Sequence, residues 1–375
     1  MATEHATWAY RDRFGDSFGR TYFRRYPPGV CSSIGVGTYL GDPTTDVDDR
    51  YEQSIIEALE SGINVVDTAI NYRCQRSERV VGRAIDRADV GRDAVVVSTK
   101  GGFLPFDGER PADPGDYLKS AYVETGLVEP EELARGSHCI APGFIEEMLD
   151  RSMENLGLDT IDCYYVHNPE TQLLERSSSA VYDTLEATFE RLERRRLAGD
   201  LTKYGLATWQ AFRVPRNHEQ YLSLDRVLDR AETAADRVGV DEHGLTTIQL
   251  PFNVRMADAF TRNNQPLPDR DTDRPIHSDT DRRFVSTLEY AHQAGLFVVT
   301  SASIGQGELS AGLPEPIGEQ LHGDTATQRA INFARSAPGV TCSLVGTSSP
   351  EHVAENVAAG TFDPLGASAF DAVFE

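Results

Sequence analysis

The chain has 375 residues, a net charge of −23 and 39% hydrophobic residues, enough for one large α/β barrel or two ordinary domains. So acidic a chain suits nucleic acid poorly, because phosphate binding needs a basic surface, and no apolar run approaches a membrane span. Five scattered cysteines (Cys31, Cys74, Cys139, Cys163 and Cys342), with no C-x-x-C pair, point to reduced thiols in a cytoplasm and away from a disulfide frame or zinc site.

Residues 1–21 read as polar and irregular, and the first ten lack the apolar core of a signal peptide. A hairpin follows, with its turn at Pro27-Pro28-Gly29. The first core strand, over 34–38, contains Gly35-Val36-Gly37. Gly-x-Gly with an acid further on invites a dinucleotide fingerprint, but Leu40 stands where the third glycine belongs and Asp42-Pro43 intervenes before any helix. Periodicity predicts helices over 48–61, stopped by Gly62, and over 78–88, with Ser77 as a possible cap. Strands over 63–67 and 94–100 end in Asp67 and Lys100. The excursion 101–142, rich in Gly, Pro and acids, is too long for a routine connection and reads as a functional loop. A helix over 144–155 leads to a strand over 161–167 that ends in His167.

Beyond it, helices over 181–197, 225–238, 284–294, 325–337 and 350–358 alternate with strands over 202–207, 246–250, 296–300 and 341–345. A second polar insertion, 257–281, interrupts this series. Eight strands and eight helices, several strands uniformly apolar, argue a single (β/α)8 TIM barrel of the α/β class over 22–360, with an N-terminal hairpin, two long loop insertions and a C-terminal tail, 361–375.

A strand that ends in a carboxylate is unusual, because an ionised Asp is seldom buried unpaired. The chain has three lysines, Lys100, Lys119 and Lys203, among 36 basic residues, and one of them closes the strand after Asp67. A parallel barrel would bring Asp67, Lys100 and His167 to one mouth, with Tyr72 in the first following loop. Each has an ordinary explanation alone: a turn carboxylate, a strand-end charge, a satisfied histidine, a packed aromatic. Together, in this order, they describe a proton-transfer site. A phenol with a pKa near 10 is a poor acid unless a cation such as Lys100 favours its phenolate, with Asp67 balancing that charge. His167 can orient a carbonyl by donating a hydrogen bond.

With Gly35-Val36-Gly37-Thr38, the run from Gly62 to Ala69, Tyr72, and Ser77-Glu78-Arg79-Val80-Val81-Gly82, the chain resembles the aldo-keto reductase family over residues 22–358. Lys100 and His167 fall where that family places its other catalytic residues. The resemblance implies an oxidoreductase that interconverts a carbonyl (aldehyde, ketone or aldose) and an alcohol, with Tyr72 as general acid/base and a nicotinamide cofactor, NADP or NAD. Gln249 matches the carboxamide contact, with Asp67, Thr208 and Ser301 near it. In Val345-Gly346-Thr347-Ser348-Ser349-Pro350, Thr347 would meet the ribose phosphate, and Glu355 and Asn356 the adenine, at a helix start that can itself favour phosphate. Three departures stand out. Ala207-Thr208 replaces Ser-Asn, Ser301 replaces a stacking aromatic, and Gly346 and His352 replace a basic pair. The last points to dual use or NAD preference, unless Arg329 or Arg335 supplies the missing charge.

Phe103, Phe106, Tyr117 and Trp209 are candidate lining residues for a small-molecule substrate; no metal ligand set is apparent. Two other functions fit parts of the pattern: a lyase forming a Schiff base on Lys100, and a non-catalytic, cofactor-binding regulatory barrel. The charge balance also reads as an acidic, salt-adapted surface, since concentrated salt screens self-repulsion. Stability and activity are therefore expected to rise from low salt to about molar potassium chloride; a melting temperature that is flat or falls with salt would contradict this reading.

Overall fold

The apolar runs become strands because β-branched residues fit a pleated surface buried on both faces. The computed structural model describes residues 1–267 and 283–374. The chain opens with α1 (Glu4–Phe14), followed by a hairpin of β1 (Phe23–Tyr26) and β2 (Gly29–Ser32). The next elements are β3 (Ile34–Gly37), α2 (Thr45–Glu60), β4 (Val65–Asp67), α3 (Arg76–Arg87), β5 (Val96–Gly101), α4 (Pro114–Leu118), α5 (Pro142–Leu156) and β6 (Ile161–His167). Then come α6 (Ser178–Ala198), β7 (Leu201–Ala207), α7 (Leu224–Val238), β8 (Leu245–Pro251), α8 (Asp258–Thr261), β9 (Asn263–Pro266), β10 (Phe284–Ser286), α9 (Thr287–Gln293) and β11 (Phe297–Ser301). The chain ends with α10 (Glu315–Gly318), α11 (Ala326–Ser336), β12 (Val340–Gly346), α12 (Pro350–Ala359) and α13 (Ala367–Asp371).

Eight parallel strands close a barrel in the order β3-β4-β5-β6-β7-β8-β11-β12, with β12 returning to β3. This is the (β/α)8 barrel that the alternation predicts. The hairpin covers its floor. Tyr26 packs with Val65 and Val96, the first residues of β4 and β5, and with Val299 of β11, and Lys203 donates to the Pro27 carbonyl. Gly35 serves the barrel and no dinucleotide loop: a Cβ there would lie 2.9 Å from Leu344 and 3.0 Å from Val65. All five cysteines are buried and unpaired. Among the described residues no helix is long and apolar enough to cross a membrane.

Several elements differ from their sequence expectation. The segment expected to be irregular, 1–21, contains α1. It has no apolar stripe to reveal it; the Thr3 side chain caps it, and the Tyr10 hydroxyl donates to the Leu59 carbonyl at 2.5 Å. Ser77 is no cap. It lies inside α3 and its hydroxyl donates to Thr38, while Gln75 takes the cap position in left-handed conformation. The helix expected over 284–294 starts only at Thr287, because Ser286 caps it and β10 pairs with β9. Of the second insertion, 257–267 forms α8 and β9, and 268–281 lies outside the described residues. The first insertion is packed: Leu104, Tyr122, Val128 and Cys139 are buried, and the Tyr122 hydroxyl donates to the Pro105 carbonyl at 2.6 Å.

The C-terminal tail is also part of the core. Phe370 of α13 is fully buried, with Phe333 and Phe260 each 5.1 Å away between ring centroids. Deleting a buried aromatic ring leaves a cavity, so Phe370→Ala is expected to cost about 3 kcal/mol of stability, read as a lowered urea midpoint. An unchanged midpoint would make the tail an appendage.

Candidate active site

Side chains alternate along a strand, so Ser98 and Lys100 of β5 share a face, and the β4–β5 register sets Asp67 beside Ser98. One Asp67 oxygen accepts from Lys100 Nζ at 2.5 Å; the other accepts from Ser98 Oγ at 2.6 Å and Gln249 Nε2 at 2.9 Å. Lys100 also donates to the Thr68 carbonyl at 2.8 Å, and both charged side chains are almost fully buried. Burial presses Lys100 toward losing its proton, but Asp67 holds its pKa above the ordinary value.

Lys100 Nζ lies 5.0 Å from the centre of the Tyr72 ring. From sequence, this cation favours the phenolate. In the structure it does lower the phenol pKa, but burial raises it by more, and Tyr72 stays above its usual value. The phenol therefore keeps its proton at neutral pH and would yield it only to a strong base such as an alkoxide.

His167 lies edge-on to Tyr72 and Phe103, with ring centroids 6.0 and 5.1 Å apart. Burial first, then Lys100 and His138, hold its pKa well below the ordinary value, so the imidazole is neutral. Its buried Nδ1 has no hydrogen-bond partner among the described residues. That favours the tautomer with the proton on Nε2, since an unpaired buried N–H is costly.

A cavity of about 410 Å³ opens above these groups, lined by Tyr72, His167, Gln249, Thr208 and Ser301 among others. Asp67 and Lys100 lie behind Tyr72. Phe103 and Trp209 also line the cavity, whereas Phe106 and Tyr117 pack against each other, 5.5 Å apart. Ala207, Tyr39, Asn71, Asn168 and Gln306 complete the lining, and the last four carried no sequence signal. Ser98 was findable: it stands two residues before Lys100 on the same strand face.

The segment expected to hold the far end of a dinucleotide lies apart from this cavity. Thr347 and Asn356 are buried and bonded to each other at 2.6 Å, and Glu355 accepts from Thr325 at 2.6 Å. Gly346 and His352 are exposed. Arg335 cannot supply a phosphate contact: it is fully buried and donates to Ser33, Ala359 and Phe362. Arg329 is committed at its Nε to the Gly323 carbonyl. Among the described residues no cluster of His, Cys, Asp and Glu is arranged to hold a metal.

His138, behind His167, has its pKa pushed down to about 4 by burial. The unfolded chain takes up that proton near pH 6.5, so it binds more protons than the folded chain below this pH, and stability falls as pH drops from about 6.5 to 4. The expected loss is about 3 kcal/mol, and His138→Gln should remove that part of the slope in urea melts taken across the window. Identical slopes in the two proteins would show that His138 is not buried neutral.

The Aldo/keto reductase family model matches residues 33–235. The chain is 30% identical over 213 residues to the NADH-specific methylglyoxal reductase of Escherichia coli (strain K12), which covers 54% of this chain and 57% of that protein. It thus spans little more than half the length of that relative. It is 24% identical over 345 residues to a putative voltage-gated potassium channel subunit beta of Schizosaccharomyces pombe, covering 88% of this chain and 85% of the relative. Among solved structures, an aldo/keto reductase from Klebsiella pneumoniae in complex with NADP and acetate superposes with a TM-score of 0.56 at 18% identity, covering 92% and 91% of the two chains. With more than half of its residues matched by the family model and a closed eight-stranded barrel to carry them, the chain belongs to the aldo/keto reductase family.

Proposed function

We propose that this protein is an NAD(P)-dependent oxidoreductase that interconverts a carbonyl compound and an alcohol. The observation that carries the reading is the convergence of Tyr72 and His167 on one cavity, with the buried Asp67–Lys100 pair directly behind the phenol. A carbonyl oxygen in that cavity would accept a hydrogen bond from neutral His167, which orients it and stabilises developing negative charge. Tyr72 would deliver its proton to the alkoxide and, in reverse, take the alcohol proton. Lys100 stabilises the phenolate left behind, and Asp67 keeps Lys100 charged and in place.

The cavity fits a nicotinamide group. Gln249, Thr208 and Ser301 present polar atoms to it, and the buried Ser303 hydroxyl just beyond β11 has no partner among the described residues. Such a cofactor supplies the hydride; every proton moves through this chain's own side chains. The Escherichia coli relative is named as NADH-specific and the Klebsiella structure holds NADP, so relatives use both. With Arg335 buried, Gly346 and His352 in place of a basic pair supports dual use or NAD preference. The location is read as cytoplasmic and the acidic surface as salt-adapted.

The Schizosaccharomyces pombe relative favours one other reading, a regulatory barrel that binds cofactor without turnover. The lyase reading has less support, because Lys100 is buried, ion-paired and held protonated, whereas Schiff-base formation needs a neutral, accessible amine. A screen of aldehydes, ketones and aldoses with NADH and NADPH is expected to find turnover. Tyr72→Phe should lower it by about 10²–10⁴-fold, the usual contribution of a general acid, with cofactor affinity unchanged. Turnover within about threefold of wild type in that variant would show that another group is the acid, and a wild type that binds cofactor without turning over any carbonyl would favour the regulatory barrel.

A further inference from the structure

The first insertion, 101–142, leaves the barrel at the end of β5 and returns into α5, and its two ends meet around His167. Leu104 N–H donates to the Ser137 carbonyl at 2.9 Å and Cys139 N–H to the Gly102 carbonyl at 2.8 Å, which fastens the ends side by side. The Phe103 ring stands edge-on to both imidazoles, 4.8 Å from His138 and 5.1 Å from His167. Gly102 lets them come this close. Its φ is +159°, and a Cβ there would lie 2.5 Å from the His167 carbonyl oxygen.

His138 is fully buried at the centre of this arrangement, with Nε2 2.8 Å from the His167 carbonyl oxygen. A carbonyl only accepts, so Nε2 carries the proton. Gln172, in the turn that follows β6, donates to His138 Nδ1 at 3.1 Å and to the His138 carbonyl at 2.9 Å. Both ring nitrogens are thus assigned, and the ring bridges the insertion to the strand end that carries His167. The next residue, Asn168, is left-handed with φ +48°, so the backbone turns sharply just past His167, and the Asn168 N–H donates to the Ala207 carbonyl of β7 at 2.6 Å.

We propose that His138 is a positioning residue for carbonyl reduction: by binding the His167 backbone carbonyl it sets the direction in which the His167 imidazole meets the substrate. The assignment rests on the proposed oxidoreductase function. His138 does not line the cavity, so its removal acts through the groups it holds there: His167 by the hydrogen bond and Phe103 by ring contact.

His138→Leu removes the donor and keeps the bulk. Gln places an amide N–H near the position of Nε2, so His138→Gln restores the donor. His138→Leu is expected to lower kcat/KM for the carbonyl about tenfold, the scale of one lost hydrogen bond, with the cofactor Kd unchanged; His138→Gln should recover most of the loss. Gln172→Met, which removes the donor to His138 Nδ1 and leaves the His138–His167 hydrogen bond in place, should give a smaller loss of the same kind and stands in if His138→Leu does not fold. The ring 15N resonances of His167 report its tautomer and surroundings without turnover. They should match wild type in His138→Gln and move in His138→Leu or Gln172→Met. An inactive wild type would overturn the oxidoreductase reading while leaving these resonances to decide the role of His138. Unmoved His167 resonances, an unchanged kcat/KM, a Gln variant no better than Leu, or an equal loss of cofactor affinity would each overturn the positioning role.

Discussion

The buried pair of Asp67 and Lys100 is the constraint on which the mouth of this barrel depends. Two charges taken out of water are costly unless their remaining valences are filled. Here they are filled from three strands: Ser98 and Lys100 of β5, Gln249 of β8 across the barrel, and the Thr68 carbonyl just beyond β4. Register and closure must both be correct for those donors to arrive together. A slip of one residue in β5 would turn Lys100 outward and strand Asp67. The pair therefore couples the geometry of the candidate site to the closure of the barrel.

One cation serves two neighbours in opposite senses. Lys100 lowers the pKa of Tyr72 against the larger effect of burial, and it lowers that of His167 in concert with burial. The outcome is a protonated phenol beside a neutral imidazole, two hydrogen-bond donors converging on one cavity without a net positive charge on either. A charged imidazole there would face Lys100 in a medium that screens poorly. The clamp formed by Gly102, Phe103, His138 and Gln172 keeps His167 buried enough to stay neutral.

The scarcity of lysine sharpens this picture. Of the three, Lys119 is exposed, while Lys100 and Lys203 are buried at opposite ends of the barrel. Lys203 lies 4.1 Å from the centre of the Tyr26 ring and reaches the Pro27 carbonyl under the floor. Both ammonium groups reach their places on a flexible stem, while the fully buried guanidinium is that of Arg335, held by the Ala359 and Phe362 carbonyls. Elsewhere arginine does the pairing, as in Asp48 with Arg73 and Arg76 or Glu52 with Arg83 and Arg87.

Much of this was legible in the residues themselves. Apolar runs ending in Asp67, Lys100 and His167 announce buried parallel strands with polar tips, because hydrophobic period and strand-end chemistry are local properties. Alternation gives the barrel, and spacing gives the constellation. What needed the tertiary structure was everything set by a partner distant in sequence. Helix α1 has no stripe of its own and forms where Thr3 caps it and Tyr10 meets Leu59. Phe370 reads as part of a tail until Phe333 and Phe260 surround it. Arg335 reads as a surface charge able to meet a phosphate, yet it is sealed among carbonyls. His138 is one histidine in a polar insertion with no motif around it; only the fold brings it to the carbonyl of His167. Periodicity records which face of an element is buried, but what lies against that face is decided by chain closure, and so the barrel could be read from the sequence while the surroundings of its candidate site groups could not.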